Sequence, residues 1–357
     1  MTTRSENAPT RTDWDVVVVG AGVGGLSTAA YLATNGKRVL VLEASKVVGG
    51  ASQSFRRNRV FDFDCGAHYV GDCEPGGVIP TVLRGVGLED EVHFTSLDPD
   101  RFDRLIGPDG FEFEVPRGWD EFESRLTARF PAETDAVRHV LSALRGIAEA
   151  TRTLGAPPAP RPMDVLRHPR ATIKLAEGID SLEHLFDRHD LSDGARTAIG
   201  YLCMFLMQPR SEIAAAVYAG MLDHYIRSGG FYVNGGASKI PRSLARVVRS
   251  HGGEVRLRAR VAEILVREGV VEGVRLADGD VVHAPIVVSN ADIRTTYDTL
   301  IDHRHTSSRT RRQRTEAPLT GCGFSVYLGV DIDLREHMPA QTVFSFATLD
   351  YNQLTDP

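Results

Sequence analysis

The stretch from Asp15 to Glu43, DVVVVGAGVGGLSTAAYLATNGKRVLVLE, constrains the fold more than any other. Val16 to Val19 is an unbroken β-branched run, the pattern of a parallel strand buried on both faces. Gly20, Gly22 and Gly25, with Gly24 between them, place G-x-G-x-x-G where that strand gives way to a helix. This spacing provides a tight turn, lets backbone approach a pyrophosphate and allows the helix to pack closely on the strand. The helix carries Leu26, Ala29, Ala30, Leu32 and Ala33 as an apolar stripe and stops at Asn35-Gly36. Its free N-terminal amides and positive dipole end suit phosphate. Arg38 to Leu42 is a second strand, and Glu43 at its end can accept hydrogen bonds from a ribose hydroxyl. A lone glycine motif predicts only a turn. Strand, turn, helix, strand and acidic end in this order predict a dinucleotide site.

The 357 residues are enough for two domains. A net charge of −6 excludes a general nucleic-acid binder, whose footprint is basic. Cys65, Cys73, Cys203 and Cys322 form no C-x-x-C pair and the twelve histidines are scattered, so neither a metal centre nor a disulfide framework is expected. A reducing, cytoplasmic setting fits that usage. Residues 1–13 are polar, contain proline and lack an apolar core, which predicts a disordered leader rather than a secretory signal. No run reaches the ~18 apolar residues of a spanning helix, so membrane contact would be peripheral, at the inner face.

Beyond Glu43 and Ala44, the pair Gly49-Gly50 with Ala51 and Ser52 again lets backbone approach a ligand, as a continuation of the cradle. Phe61-Asp-Phe-Asp-Cys-Gly66-Ala-His68-Tyr69-Val-Gly71 reads as an alternating strand with a glycine-bounded loop at its end. His68 reads either as a hydrogen-bonded structural histidine or as a reactive group beside a cofactor.

These segments together resemble the FAD-dependent phytoene desaturase, carotenoid isomerase and retinol saturase family, with GAHYVG closest to the retinol saturase branch. The order DPDRFDRLIGPDGFEFEVPRGWDEFESRLTARFPAE points to the same branch. The resemblance implies an α/β chain: a Rossmann-type, glutathione reductase-like FAD-binding domain interleaved with an α+β substrate domain. FAD binding falls to residues 14–80 and 230–295, and the substrate domain to 81–229 and 296–357. Glu43 would bind the adenosine ribose, while Gly49, Gly50 and Gly66 would lie along the pyrophosphate and flavin. Val261 would reach the adenine through its backbone. The family continues beyond residue 357 with a second glycine-rich segment that closes over the flavin, so the C-terminal part of its fold is missing here.

Along the rest of the chain, Trp119, Phe122, Leu126 and Phe130 repeat at helical spacing, as do Val137, Val140, Leu141, Leu144 and Ile147, with Pro131 as the break. Such stripes are expected in a core. Residues 155–162 form a proline-rich connector. The apolar patch Ile199–Met207 and a helix over Ile213–Leu222 suit either a core or the wall of a tunnel for a long apolar substrate. Phe231-Tyr232-Val233 feeds Gly235-Gly236 and a helix with Ile240, Leu244, Val247 and Val248 inward. Short strands are expected over 255–257, 261–266, 270–276 and 281–288, with hairpin turns at Glu268-Gly269 and Asp278-Gly279, and another strand over Gly321–Asp331. The basic run HRHTSSRTRRQR from His303 reads as a solvated segment or as a contact with anionic headgroups, each basic residue contributing about 1 kcal/mol there.

The expected function is a flavin-dependent oxidoreductase that acts on C–C or C=C bonds of a hydrophobic isoprenoid or polyene by hydride transfer at flavin N5. His68 and Tyr69 are the candidate catalytic residues, with Tyr232 as a substitute proton donor. The direction of the reaction and the electron donor or acceptor are not written in these residues. The competing readings are an amine oxidase-like enzyme, a geranylgeranyl reductase-like enzyme and a non-enzymatic prenyl-binding relative such as the Rab GDP-dissociation inhibitors.

Overall fold

The structure is a computed structural model that describes residues 14–154, 167–315, 320–321, 323–337 and 340–350. The expected leader, the proline-rich connector and Cys322 lie outside the described residues. The described chain divides into two compact units, one of residues 14–69, 75–94 and 232–315, the other of residues 70–74, 95–154, 167–231 and those from 320 onward.

The frame of the first unit runs β1 (Val16–Val19), α1 (Val23–Thr34), β2 (Val39–Leu42), β3 (Ser54–Arg57), β4 (Phe61–Asp64), α2 (Lys239–Ser250), β5 (Glu254–Arg256), β6 (Val261–Arg267), β7 (Val270–Leu276), β8 (Val281–His283) and β9 (Ile286–Ser289). A parallel sheet of order β9-β1-β2-β5 lies at its centre. All four residues of β1 and of β2 are buried, as an unbroken apolar run demands of interior parallel strands. α1 buries Gly25, Leu26, Ala29, Ala30 and Ala33, small side chains that let α2 pack against it. Ile240, Leu244, Val247 and Val248 are the apolar face of α2, as their spacing predicts.

The late β region departs from a simple meander. β5 joins the parallel sheet beside β2 rather than the hairpins, and of the late strands β6, β7 and β8 form an antiparallel sheet. The run 281–288 is two strands, because Pro285 has no amide to donate to a continuing ladder. The chain turns there, and β9 pairs parallel with β1, Val16 opposite Ile286. The turns at Glu268-Gly269 and Asp278-Gly279 fall between strands as expected, with positive φ at Glu268, Gly269 and Gly279.

In the second unit, strand Asp103–Ile106 pairs antiparallel with Glu112–Val115 and parallel with Thr342–Ser345. Helices Trp119–Arg129, Thr134–Leu154 and Ala215–Ser228 supply most of the packing. Trp119, Phe122, Leu126, Val137, Val140, Leu141, Leu144 and Ile147 are all in its core, and Phe130 packs against it half-buried. Of the patch Ile199–Met207, Ile199, Tyr201, Leu202 and Cys203 are buried in the same core. The helix expected from Ile213 starts at Ala215 and runs on to Ser228. No strand forms among the described residues of 321–331; alternating apolar residues make a strand only beside a partner ladder, and here Phe324 is 93 % exposed. The strand in this part of the chain is Thr342–Ser345, which has one.

Candidate functional site

The glycine loop after β1 is shaped by close approaches that exclude side chains. Gly20 sits at φ +97°, in the left-handed region that favours glycine. A Cβ on Gly25 would lie 2.2 Å from the carbonyl oxygen of Gly20, and one on Gly24 would lie 2.9 Å from Asn290 Oδ1. Gly22 is the N-cap of α1, no side chain caps it, and no acidic residue occupies the first turn. This end of the helix therefore offers its amides and its positive dipole outward without an internal anion.

Glu43 ties the second strand to that loop. Its Oε2 accepts from the amide of Ala21 at 2.7 Å and its Oε1 from the amide of Ser45 at 2.7 Å. Each carboxylate oxygen keeps a second acceptor site, so these bonds orient the group without exhausting it. The Ala21 carbonyl in turn accepts from Gly49 N at 2.8 Å, and Gly49, at φ +122°, bridges Gly22. A Cβ on Gly50 would lie 3.3 Å from Gly22 Cα. Gly50, Ala51 and Ser52 form one 3-10 turn. The Ala51 carbonyl accepts from Ala67 N at 3.3 Å, and a Cβ on Gly66 would lie 3.0 Å from that oxygen. Gly20, Gly22, Gly24, Gly25, Glu43, Gly49, Gly50, Ala51, Ser52 and Gly66 thus belong to one connected set of loops. Ala44 is exposed beside Glu43. Val261 stands two residues beyond Ala259, whose amide donates to the Glu43 carbonyl at 2.8 Å, and its own side chain is in the core of β6 and β7.

His68 and Tyr69 lie on the same loop as Gly66. His68 is exposed, with Nδ1 3.0 Å from the Gly66 carbonyl oxygen, which assigns the proton of the neutral ring to Nδ1 and leaves Nε2 as the acceptor. Tyr69 is 7 % exposed, and the two rings are 5.8 Å apart.

Several groups of the site are not apparent from motif spacing. Asn290, at the end of β9, faces Gly22, Gly24 and Gly25 with its side chain. Asp64 accepts from Ser54 Oγ at 2.6 Å and Ala237 N at 3.0 Å through Oδ1, and from Tyr232 OH at 3.1 Å through Oδ2. Burial, and then the Asp64 charge, push the Tyr232 phenol above its ordinary range. Ser54, Arg56, Asp62 and Asp64, at alternate positions of β3 and β4, face a cleft of 610 Å³ whose other wall includes Tyr232, Gly235, Gly236 and Arg242. Arg56 and Asp62 pair bidentately across the hairpin at 2.7 and 2.6 Å. The signal that could have found Asp64 is its place opposite Ser54, in register on the shared face of β3 and β4.

Comparison with known proteins gives the family of the chain. Residues 23–318 match the family described as flavin containing amine oxidoreductase. The chain belongs to this family. Human all-trans-retinol 13,14-reductase is 29% identical over 361 residues, covering 95% of this chain and 57% of that protein. Prolycopene isomerase of Daucus carota is 30% identical over 291 residues, covering 78% of this chain and 46% of that protein. The chain spans about half the length of the curated relatives it matches. An oxidoreductase of Methanosarcina mazei has the same fold, with a TM-score of 0.62 at 20% identity over 84% of this chain and 64% of that one. These relatives uphold the resemblance to the retinol saturase and carotenoid isomerase family, and the family's cofactor is a flavin. Among the described residues, no helix is long and apolar enough to cross a membrane.

Proposed function

We propose that the chain is an FAD-dependent oxidoreductase that acts on C–C or C=C bonds of a hydrophobic isoprenoid or polyene. The observation that carries this reading is the uncapped N-terminus of α1 behind glycines whose Cβ positions are occupied by backbone and by Asn290. Such a cradle fits a pyrophosphate and rejects a side chain. The first unit takes the role of FAD domain, and the second that of substrate domain. Bound FAD would supply hydride exchange between flavin N5 and a substrate carbon.

In this reading the first-turn amides of α1 and the backbone of Gly49 to Ser52 hold the pyrophosphate, with Glu43 on the adenosine ribose and Val261 beside the adenine through its backbone. Gly66 holds the His68 loop against Ala51. His68 exchanges the proton that accompanies the hydride through Nε2, since Nδ1 is committed to the Gly66 carbonyl. Tyr69 is the buried wall behind it. The isoprenoid substrate class rests on the relatives, named for retinol and prolycopene. The exposed cations of His303 to Arg314 suit the anionic headgroups of a bilayer that holds such substrates, in a cytoplasmic protein attached peripherally.

The test is a polyene absorption spectrum, followed after addition of FAD-loaded protein with the flavin oxidised and then reduced. Bleaching or a red shift under one condition supports the reading and gives the direction. His68→Ala retains flavin absorbance and loses at least tenfold in turnover; unchanged turnover would remove His68 from the proton path.

A further inference from the structure

A second groove opens beside the start of β3 and shares Ser54, Ser238 and Arg242 with the first. It has a volume of 250 Å³, and its walls include Lys46, Gln53, Ser54, Ser238, Arg242 and Arg249. None of its described lining residues is a carboxylate, whereas the neighbouring larger cleft carries Asp62 and Asp64. Those two are engaged, Asp62 by Arg56 and Asp64 by Ser54, Ala237 and Tyr232.

The cations of α2 divide into two sets. Lys239 and Arg246 both pair with Glu91. Arg242 and Arg249, seven positions apart and so on one face of the helix, form no ion pair among the described residues; Arg242 acts on the Asp62 charge from a distance, and Arg249 reaches the Val255 carbonyl at 3.5 Å. Lys46 also lines the groove and makes no ion pair among the described residues. Ser238 is 3 % exposed, opens α2 without capping it, and has no hydrogen-bond partner for its hydroxyl among the described residues. It lines both clefts, as Ser54 and Arg242 do. Its oxygen is not among the fully buried ones left without a partner, so it opens onto the clefts, where water or a ligand can pair with it.

We propose that this groove binds a phosphate group, held by Arg242, Arg249 and Lys46 with the Ser238 hydroxyl as a neutral donor. Guanidinium forks match phosphate oxygens in bidentate geometry, and the lysine adds a point charge. The volume is below the ~300–1,000 Å³ of drug-sized ligand sites, so a phosphate or diphosphate fits and a whole dinucleotide does not. The groove is lined by none of Gly20, Gly22, Gly24 or Gly25, and it adjoins the Gly49–Ser52 arm of the cradle through Val48 and Gln53.

The probes are inorganic phosphate, inorganic pyrophosphate and a prenyl diphosphate, titrated calorimetrically against the FAD-saturated protein at constant ionic strength. FAD saturation keeps the probes off the α1 cradle, so a result at this groove does not depend on how the flavin is used. Pyrophosphate binding that weakens at least fivefold in each of Arg242→Gln and Lys46→Gln, and not in Arg309→Gln, is the expected result. Tighter binding of the prenyl diphosphate than of pyrophosphate assigns the phosphate to an amphiphile that extends into the larger cleft, and equal binding assigns it to a free phosphate. Binding that is the same in wild type, Arg242→Gln and Ser238→Ala overturns the site, as does the absence of any heat with all three probes. Each variant is checked for native melting first, and Ser238→Ala removes the hydroxyl without altering charge.

Discussion

Replacing Gly25 by alanine tests the cradle most directly. The added Cβ would meet the Gly20 carbonyl oxygen at 2.2 Å and the Asn290 Cβ at 3.1 Å. Ordinary contact needs ~1 Å more against that oxygen, which is backbone and moves only with the turn after β1. Overpacking of this kind costs roughly 1–3 kcal/mol. Relief comes from moving the loop away from the helix, which displaces the amides that the proposed function assigns to the pyrophosphate. If the same energy appears in cofactor binding, FAD affinity falls by about 5–150-fold, at ~1.4 kcal/mol per decade. The matched control is Gly36→Ala, at φ +78° with nothing within 4 Å of its Cβ, which strains a turn by roughly 1–2 kcal/mol and leaves the cradle alone. Flavin fluorescence titrations, read beside thermal melts, separate the two effects. Folded Gly25→Ala that binds FAD within twofold of wild type would refute the reasoning.

Three further outcomes follow from buried groups. Burial first, then the charges of Asp103 and Cys73, push the Tyr225 phenol up to about 12, so its protonated form favours the folded state. That contribution is complete below the unfolded tyrosine value of about 10 and is lost as pH rises from there toward 12. Ultraviolet titration should show Tyr225 ionising late, with melting temperature falling above pH ~10 less steeply in Tyr225→Phe. Burial pushes the thiols of Cys73 and Cys203 up to about 12, so maleimide at neutral pH labels half-buried Cys65 ahead of both, as peptide mapping will show. Glu183 accepts from Arg210 at 2.7 Å and Arg196 at 2.6 Å, and Arg210 is 1 % exposed; Glu183→Gln should destabilise by about 3–5 kcal/mol in urea unfolding.

The parallel core and the glycine loops were legible because their signals are local: β-branched runs, glycine spacing and an acidic strand end within thirty residues. The helix stripes of the second unit were legible for the same reason, since 3.6-residue periodicity needs no knowledge of the partner. What escaped depends on pairing between distant segments. Val255 joins β2 rather than the hairpins that follow it, because the sheet edge beside β2 was free to take a parallel strand. Residues 323–330 have strand composition but no ladder beside them, while Thr342–Ser345 found one. Asn290 and Asp64 act through residues far along the chain, Asn290 on the first glycine loop and Asp64 on Tyr232 and Ala237, and no spacing rule reaches that far.

The position of Asn290 also carries a consequence for biosynthesis. β1, α1 and β2 leave the ribosome early, yet the wall of their glycine loop arrives only with β9. At ~5–20 residues per second, the nascent loop waits roughly 12–50 s for that wall. During this interval β1 lacks the neighbour that covers its outer edge, and such a long-range pairing is slow to form. The nascent chain therefore completes its first glycine loop only once residue 290 has emerged, and chaperone dependence should concentrate before that point.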